Sequence, residues 1–308
     1  MSISKLFLGK QSEKLPDNPI PPPSGERTGW QHTLYVIRRD VLAIFSVGWI
    51  LLMILCALLA PVIAPYPDQG RGRNDADNRL LPPSANNVMG TDELGRDVLS
   101  RLIFGAQPAM VASLIVVSVA MLIGVPLGAI AGYYGGWVDE LIMRITDLFL
   151  AFPSLLLAMA IVSIAGPSLI NAVMALVVSW WPWYTRLVRS TTRSLKEEYF
   201  IEAARAIGVS DVIIISRHIL PNTITPIIVQ ATIDIGTVIL ATTSLAFLGL
   251  GTQPPNADWG LMIDQGRQFL RQAWWYSLYP GVAIFLTVLA FNLLGDTLRD
   301  IFDPRQYR

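Results

Sequence analysis

Residues Glu202-Ala203-Ala204-Arg205-Ala206-Ile207-Gly208 form a run of helix-forming types closed by a glycine, and the chain then reaches His218-Ile219-Leu220-Pro221. Such a segment is suited to mechanical rather than covalent work. The alanines leave a shallow face that can seat in a cleft of another protein, and Gly208 reaches the left-handed conformation that ends a helix. Ser210 or Asp211 can cap the next short helix, and Pro221 suits the first turn of a following one. The second chemically loaded position is Asp234, with Gln230 one helical turn earlier and Thr237 nearby on an otherwise apolar stretch. An unpaired carboxylate facing lipid near mid-membrane costs about 2.5 kcal/mol or more, so Asp234 is expected to face a helix bundle. Gln230, Asp234 and Thr237 then make a polar stripe that either lines a substrate path or bonds to a neighbouring helix.

Covalent catalysis and metal chemistry find few candidates. The sole cysteine, Cys56, lies in an apolar run, which makes it a packed or lipid-facing small hydrophobe. His32 and His218 are far apart and lack a ligand set nearby, so no metal site is expected. No nucleophile elbow is present, and no Gly-x-x-x-x-Gly-Lys-Ser/Thr loop cradles phosphates, because Gly9-Lys10 lacks both the leading glycine and the following hydroxyl. The chain is therefore read as non-enzymatic, with no cofactor of its own. A formal net charge of zero and no basic stripe interleaved with aromatics argue against nucleic acid as a partner.

The elements that must hold these residues are membrane spans. Hydrophobic residues make up 53% of the 308 positions and charged residues 15%, and the charge deficit falls in windows long enough to cross a bilayer core. The pattern predicts an all-α polytopic membrane protein with about six transmembrane helices. They are expected near residues 41–64, 108–132, 141–165, 168–187, 222–248 and 278–298. A polar tail with Pro19, Pro21, Pro22 and Pro23 occupies 1–40 and is read as cytoplasmic rather than as a cleaved signal, with 41–64 a retained first span. Residues 65–107 form an extracytoplasmic loop with an interfacial helix, 108–298 a five-helix core containing the loop 188–221, and 299–308 a cytoplasmic tail. Tight turns are expected at Gly135-Gly136 and Gly166-Pro167-Ser168.

Basic residues set the orientation. The tail (Lys5, Lys10, Lys14, Arg27, Arg38, Arg39), the middle loop (Arg186, Arg189, Arg193, Lys196, Arg205, Arg217) and the C-terminal end (Arg299, Arg305, Arg308) hold most of the 23 Lys and Arg. Both termini are thus placed in the cytoplasm. Trp180, Trp181, Trp183 and Tyr184 are expected at one membrane interface and Trp274, Trp275 and Tyr276 at the other. Gly124, Gly128 and Gly132 recur along the second span as a smooth strip for close helix approach. Asp97 with Arg101 reads as a screened surface pair, and Arg144 with Asp147 as a pair at the mouth of the third span. Asp296, Arg299 and Asp300 should anchor the end of the sixth.

The segment from Glu202 to Gly208, closed by Ile219-Leu220-Pro221, resembles the "EAA" loop of the permease subunits of binding-protein-dependent ABC importers, with His218 standing where the consensus has Ile. Residues 90–105 (Gly-Thr-Asp-Glu-Leu-Gly-Arg-Asp-Val-Leu-Ser-Arg-Leu-Ile-Phe-Gly), Gly132-Tyr133-Tyr134-Gly135-Gly136, Met143 to Leu157, Phe247-Leu248-Gly249-Leu250-Gly251 with Gln253-Pro254-Pro255, and Ala290 to Asp296 running to Asp303-Pro304 are similar to the second permease subunit of dipeptide, oligopeptide and nickel importers. Asn256-Ala257-Asp258 departs from the usual run after the prolines. The resemblance spans about residues 35–305 and implies a type I importer bundle in a prokaryotic inner membrane. It implies that Glu202, Ala203, Ala204, Gly208, His218, Leu220 and Pro221 couple the chain to an ATPase, and that Gln230, Asp234 and Thr237 are candidates for the path. Implied partners are a homologous second permease, two ABC ATPases carrying ATP and Mg, an extracytoplasmic substrate-binding protein and the lipid bilayer. Peptides are the expected cargo, with nickel complexes, glutathione or oligosaccharides as alternatives. An ion-coupled secondary carrier would need ionisable residues on several spans, and an intramembrane enzyme a buried nucleophile or metal set.

Overall fold

The computed structural model describes residues 40–302, so the expected tail over 1–40 and the last residues of the C-terminal tail lie outside the described residues in all but a few positions. Helix α1 (Val41–Ile63) opens on Asp40, whose carboxylate accepts from the Leu42 amide at 2.8 Å. Helix α2 (Val98–Tyr134) follows a polar segment of turns. Then come α3 (Gly136–Leu150), α4 (Ser154–Ala165), α5 (Leu169–Lys196), the short α6 (Tyr199–Ala206), α7 (Asp211–Phe247), α8 (Trp259–Gly266) and α9 (Trp275–Phe302).

Among the described residues four helices, α1, α2, α7 and α9, are long and apolar enough to cross a membrane, and α3 with α4 makes a fifth if that pair, bent by 80°, counts as one span. The expected continuous span over 141–165 is therefore corrected to a broken one. Pro153 explains the break: it precedes α4, disfavours a helical residue before it and supplies no amide to continue α3. Helix α5 has 28 residues but carries Arg186, Arg189, Arg193 and Lys196 in its last turns, which dilutes its apolarity and extends it well past the expected end at 187.

Packing direction accounts for this order. A Cβ on Gly124 would lie 2.5 Å from the Trp181 carbonyl oxygen, one on Gly128 2.4 Å from that of Thr185, and one on Gly132 2.7 Å from that of Arg189. Contacts that advance together along both helices mean that α2 and α5 run parallel, backbone against backbone, as the glycine strip led us to expect. Two parallel neighbours need a return between them, which α3 and α4 supply. Gly236 faces Val288 and Phe291 while Gly295 faces Ile233, so α7 and α9 run antiparallel.

The two ends of the bundle are well defined. At one, Tyr66 donates its amide to Ser100 Oγ (2.9 Å), Trp275 Nε1 donates to the Thr91 carbonyl (3.2 Å), and Arg101 donates to the carbonyls of Pro255 and Asn256 (both 3.2 Å). Residues 65–107 and 249–277 thus form one cap. At its centre Arg96, Arg101 and Asp92 are completely or almost completely buried, with Arg96 Nε 2.6 Å and Arg101 Nε 3.5 Å from Asp92 Oδ2. This corrects the expected surface pair of Asp97 and Arg101: Asp97 instead caps α2, accepting from the Ser100 amide at 2.8 Å, and is itself buried. Sequence spacing places them on one helical face but says nothing of the second loop folded over them.

The aromatic belts are also revised. Trp180, Trp181 and Tyr184 are buried where α5 packs against α2 and α4, with Trp181 edge-on to Phe149 at 5.4 Å, and only Trp183 of that group is exposed. Trp275 and Tyr276 are buried in the cap and Trp274 stays exposed. Cys56 is packed inside the cluster that joins α1 to α9.

Candidate functional site

The loop between α5 and α7 is built around α6. Ile201 and Ala204 turn inward and pack with Tyr133, Ile214 and Ile219, whereas Glu202 and Ala203 face outward. Helix α6 ends as the glycine requires. Gly208 has φ of +83°, its amide bonds to the Arg205 carbonyl at 2.9 Å, and the Val209 amide reaches back to Ala204 at 3.1 Å. Those two bonds satisfy the last free carbonyls of the helix. No atom lies within 4 Å of a Cβ built on Gly208, so the constraint there is the backbone conformation and not space.

The expected start of the next span at Pro221 is corrected. Helix α7 starts at Asp211, ten residues earlier, and passes through a π-helical stretch at Ile214–Ile219 before Leu220 and Pro221. The Leu220 amide bonds to Ile215, five residues back, instead of to the residue four back. A wider turn relieves the clash that a proline ring imposes on the preceding turn and tolerates its missing donor. Ser210 precedes this helix but makes no side-chain cap bond. His218 is half-buried, and its carbonyl accepts from Asn222 Nδ2 at 2.5 Å; the exposed Pro221 follows.

Around this foot an apolar surface is left uncovered. Tyr199 is 87% exposed, Ile207 81% and Val212 71%, and Phe200 and Ile213 are exposed beside them. Tyr199-Phe200 and Val212-Ile213 are adjacent pairs in sequence, and exposed apolar residues grouped in a polar loop are a candidate interaction surface.

The second group lies inside the bundle. Asp234 is buried, Gln230 Nε2 donates to its Oδ1 at 3.0 Å, and among the described residues its Oδ2 has no hydrogen-bond partner. Tyr184 and Trp180 of α5 approach the same carboxylate. Thr237 does not join them: it is exposed and bonds to the Ile233 carbonyl of its own helix at 3.2 Å. The stripe is thus a pair, Gln230 with Asp234. Gln230 also borders a cleft of about 400 Å³ between α5 and α7, lined by Trp183, Arg186, Leu187 and Ser190.

Ion pairs near the foot were partly misassigned from spacing. Arg144 bonds to Glu140 at 2.9 Å and Asp147 to Arg186 at 2.6 Å, so the two do not pair with each other. Asp139 and Arg189 form a two-point pair, Nη2 to Oδ2 at 2.5 Å with Nε to Oδ1 alongside. Partners this distant in sequence leave no local signal. Tyr133, which the sequence offered only as part of a motif, lies at the centre of the foot. Asp296, Arg299 and Asp300 lie in the last two turns of α9, which runs to Phe302. Among the described residues no group of three or more His, Cys, Asp or Glu could hold a metal.

A parallel pair of helices locked by glycines, a broken span, and a cytoplasm-type basic loop ending in an exposed helical foot define a multi-span membrane permease subunit. The chain belongs to the family described as "Binding-protein-dependent transport system inner membrane component", which it matches over residues 124–308; residues 28–83 match the "N-terminal TM domain of oligopeptide transport permease C". It is 45% identical over 293 residues to the dipeptide transport system permease protein DppC of Alkalihalophilus pseudofirmus, covering 94% of this chain and 95% of that protein. It is 44% identical over 301 residues to the glutathione transport system permease protein GsiD of Escherichia coli, covering 98% and 99%. A probable D,D-dipeptide transport system permease protein, DdpC of Escherichia coli, is 42% identical over 272 residues, covering 88% and 90%. In fold the chain is similar to a chain of the inward-facing MetNI methionine ABC transporter, with a TM-score of 0.54 at 20% identity, covering 66% of this chain and 97% of that one.

Proposed function

We propose that this chain is the transmembrane subunit of an ATP-driven importer that takes a peptide from an extracytoplasmic binding protein and passes it to the cytoplasm by alternating access. The observation that carries the reading is the uncovered apolar foot around α6, with Tyr199, Ile207 and Val212 exposed at a helix locked by Gly208. A short helix with an exposed apolar face is suited to a groove on another protein, here an ABC ATPase that supplies the nucleotide chemistry. Two ATPases, a homologous second permease and a binding protein complete the assembly. The basic foot faces the cytoplasm and the cap of residues 65–107 and 249–277 faces the binding protein. Peptide cargo is supported by relatives named for dipeptide, D,D-dipeptide and glutathione transport, glutathione being itself peptide-like. Gln230 and Asp234 border the path.

Gly208→Asp tests the coupling role. It forces a left-handed aspartate at about 1–2 kcal/mol or lets α6 run on, and either outcome misplaces the docking face. Gly249→Asp, at the far end of α7, is the matched control, because Gly249 also has a positive φ, 76°, open space around its Cβ position and the same closing bonds, its own amide to Ala246 and the Leu250 amide to Leu245. In the reconstituted complex Gly208→Asp should lose ATPase co-purification or the stimulation of hydrolysis by loaded binding protein, with membrane insertion intact, while Gly249→Asp keeps ATPase co-purification. Full coupling in Gly208→Asp would remove the assignment.

A further inference from the structure

Tyr133, the penultimate residue of α2, is 3% exposed and gathers four elements on one side chain. Its hydroxyl donates to Asp211 Oδ1 at the start of α7 (2.6 Å) and accepts from Arg205 Nε of α6 (3.4 Å). The Arg205 guanidinium stands over its ring at 5.0 Å from the centroid, and the Lys196 ammonium, at the end of α5, at 5.7 Å. The same ring packs against Ile201 and Ala204, the inward face of α6. A phenol between two cations and a carboxylate is held from several directions, by cation–π attraction on its ring and by a charge-assisted bond at its oxygen.

What lies behind Tyr133 gives the cluster a mechanical meaning. The preceding residue, Gly132, brings α2 onto the Arg189 carbonyl and the Thr192 side chain of α5, and Gly128 and Gly124 continue the contact along the bundle. Helices this close, with the Cβ atoms of Tyr184, Val188 and Thr192 seated against the glycines, cannot slide or rotate independently without steric clash, so α2 and α5 move as one body. The foot of α7 is different in kind. Its π-helical stretch, Ile214–Ile219, is a departure from regular helix of the sort that marks hinges.

We propose that Tyr133 is the positioning residue that delivers motion of the docking helix α6 to the rigid α2–α5 pair, while the π-helical stretch lets α7 bend separately. The inference rests on the coupling role given above to the loop around α6. Displacement of α6 drags Arg205 and Ile201, which grip Tyr133, and Tyr133 carries α2 with it. Asp211 fixes the height of the hinge relative to that pair, so that the path beside Gln230 and Asp234 widens or narrows as α7 bends against a fixed α5 wall.

The test is the complete importer with its ATPases, partner permease and binding protein in proteoliposomes, with labelled dialanine as the probe. The reading is dialanine transported per ATP hydrolysed. Tyr133→Phe keeps the ring under both cations and removes the hydroxyl's bonds to Asp211 and Arg205, and should lower that ratio severalfold with ATPase subunits still bound. Tyr133→Leu removes both kinds of contact and should lower it about tenfold, the factor equivalent to about 1.4 kcal/mol. Asp211→Ala, which removes the acceptor, should lower the ratio in the same direction, and the double variant should be no worse than Tyr133→Phe, because the Tyr133–Asp211 bond is lost in all three. A purely structural role would reduce the yield of assembled complex and leave the ratio per complex unchanged. An unchanged ratio in Tyr133→Phe and in Asp211→Ala, or additive losses in the double variant, overturns the proposal. If the wild-type complex itself shows neither uptake nor stimulated hydrolysis, the importer reading falls first and the node with it; if wild type couples and the variants couple equally, the node alone falls.

Discussion

Replacing Gly128 by alanine adds one methyl group to the tightest point of the α2–α5 contact. That methyl would stand 2.4 Å from the Thr185 carbonyl oxygen, 2.9 Å from Val188 Cβ and 3.0 Å from the Arg189 amide nitrogen. Ordinary contact starts at 3.4 Å, so the helices must part by about 1 Å, and no rotamer change helps because two of the three atoms are backbone. A gap of about that size forfeits a quarter to a half of each dispersion contact it opens, and Gly124 and Gly132 open with it. Overpacking of this kind costs about 1–3 kcal/mol. The helix-propensity gain on leaving glycine offsets part of the cost, so the proper reference is Gly281→Ala in α9, where a Cβ meets nothing within 4 Å. The difference between the two variants cancels the propensity gain and should be about 1–3 kcal/mol against Gly128→Ala. Cys56, buried and the only cysteine, provides the assay: a thiol-reactive dye reports its exposure as the purified chain unfolds in mixed micelles. Equal midpoints for the two variants would refute the close-packed, parallel α2–α5 pair.

Two further outcomes follow from buried charge. Asp92→Asn leaves Arg96 and Arg101 buried without their shared carboxylate and should destabilise the cap by about 3–5 kcal/mol, read as early dye access or as proteolysis within residues 65–107; a wild-type profile would contradict the buried network. Asp234→Asn keeps the volume of the side chain, so the complex should assemble normally while the apparent affinity for transported peptide shifts at least about threefold, the scale of one lost polar contact. Unchanged kinetics would assign Asp234 to packing alone.

The fold was legible where a feature is local or periodic. The apolar windows gave α1, α2, α7 and α9, and the glycine repeat gave a close helix contact because a missing Cβ has one obvious use in a membrane. The break at Pro153 was visible as a residue but not as an 80° bend, since its size depends on what α3 and α4 pack against. The end of α5 was misplaced because Arg and Lys read as loop, whereas Arg186 and Arg189 are held on the helix by Asp147 and Asp139 from α3. In the candidate site, Gly208 and the helix before it could be read from the sequence, as could the Gln230–Asp234 bond between residues one turn apart. Thr237, exposed and bonded to the Ile233 carbonyl of its own helix, stands apart from that bond, which spacing alone does not tell. The start of α7 and the role of Tyr133 were not legible, for a π-helical register and a ring shared by four elements arise only from tertiary packing.

The measurement that bears most directly on the importer reading is the energy source of uptake. In vesicles holding the complete complex, labelled dialanine should accumulate only with ATP inside and loaded binding protein outside, and a protonophore that collapses the ion gradients should leave it unchanged. Uptake that persists without the ATPase subunits, or stops with the protonophore while ATP remains, would contradict it.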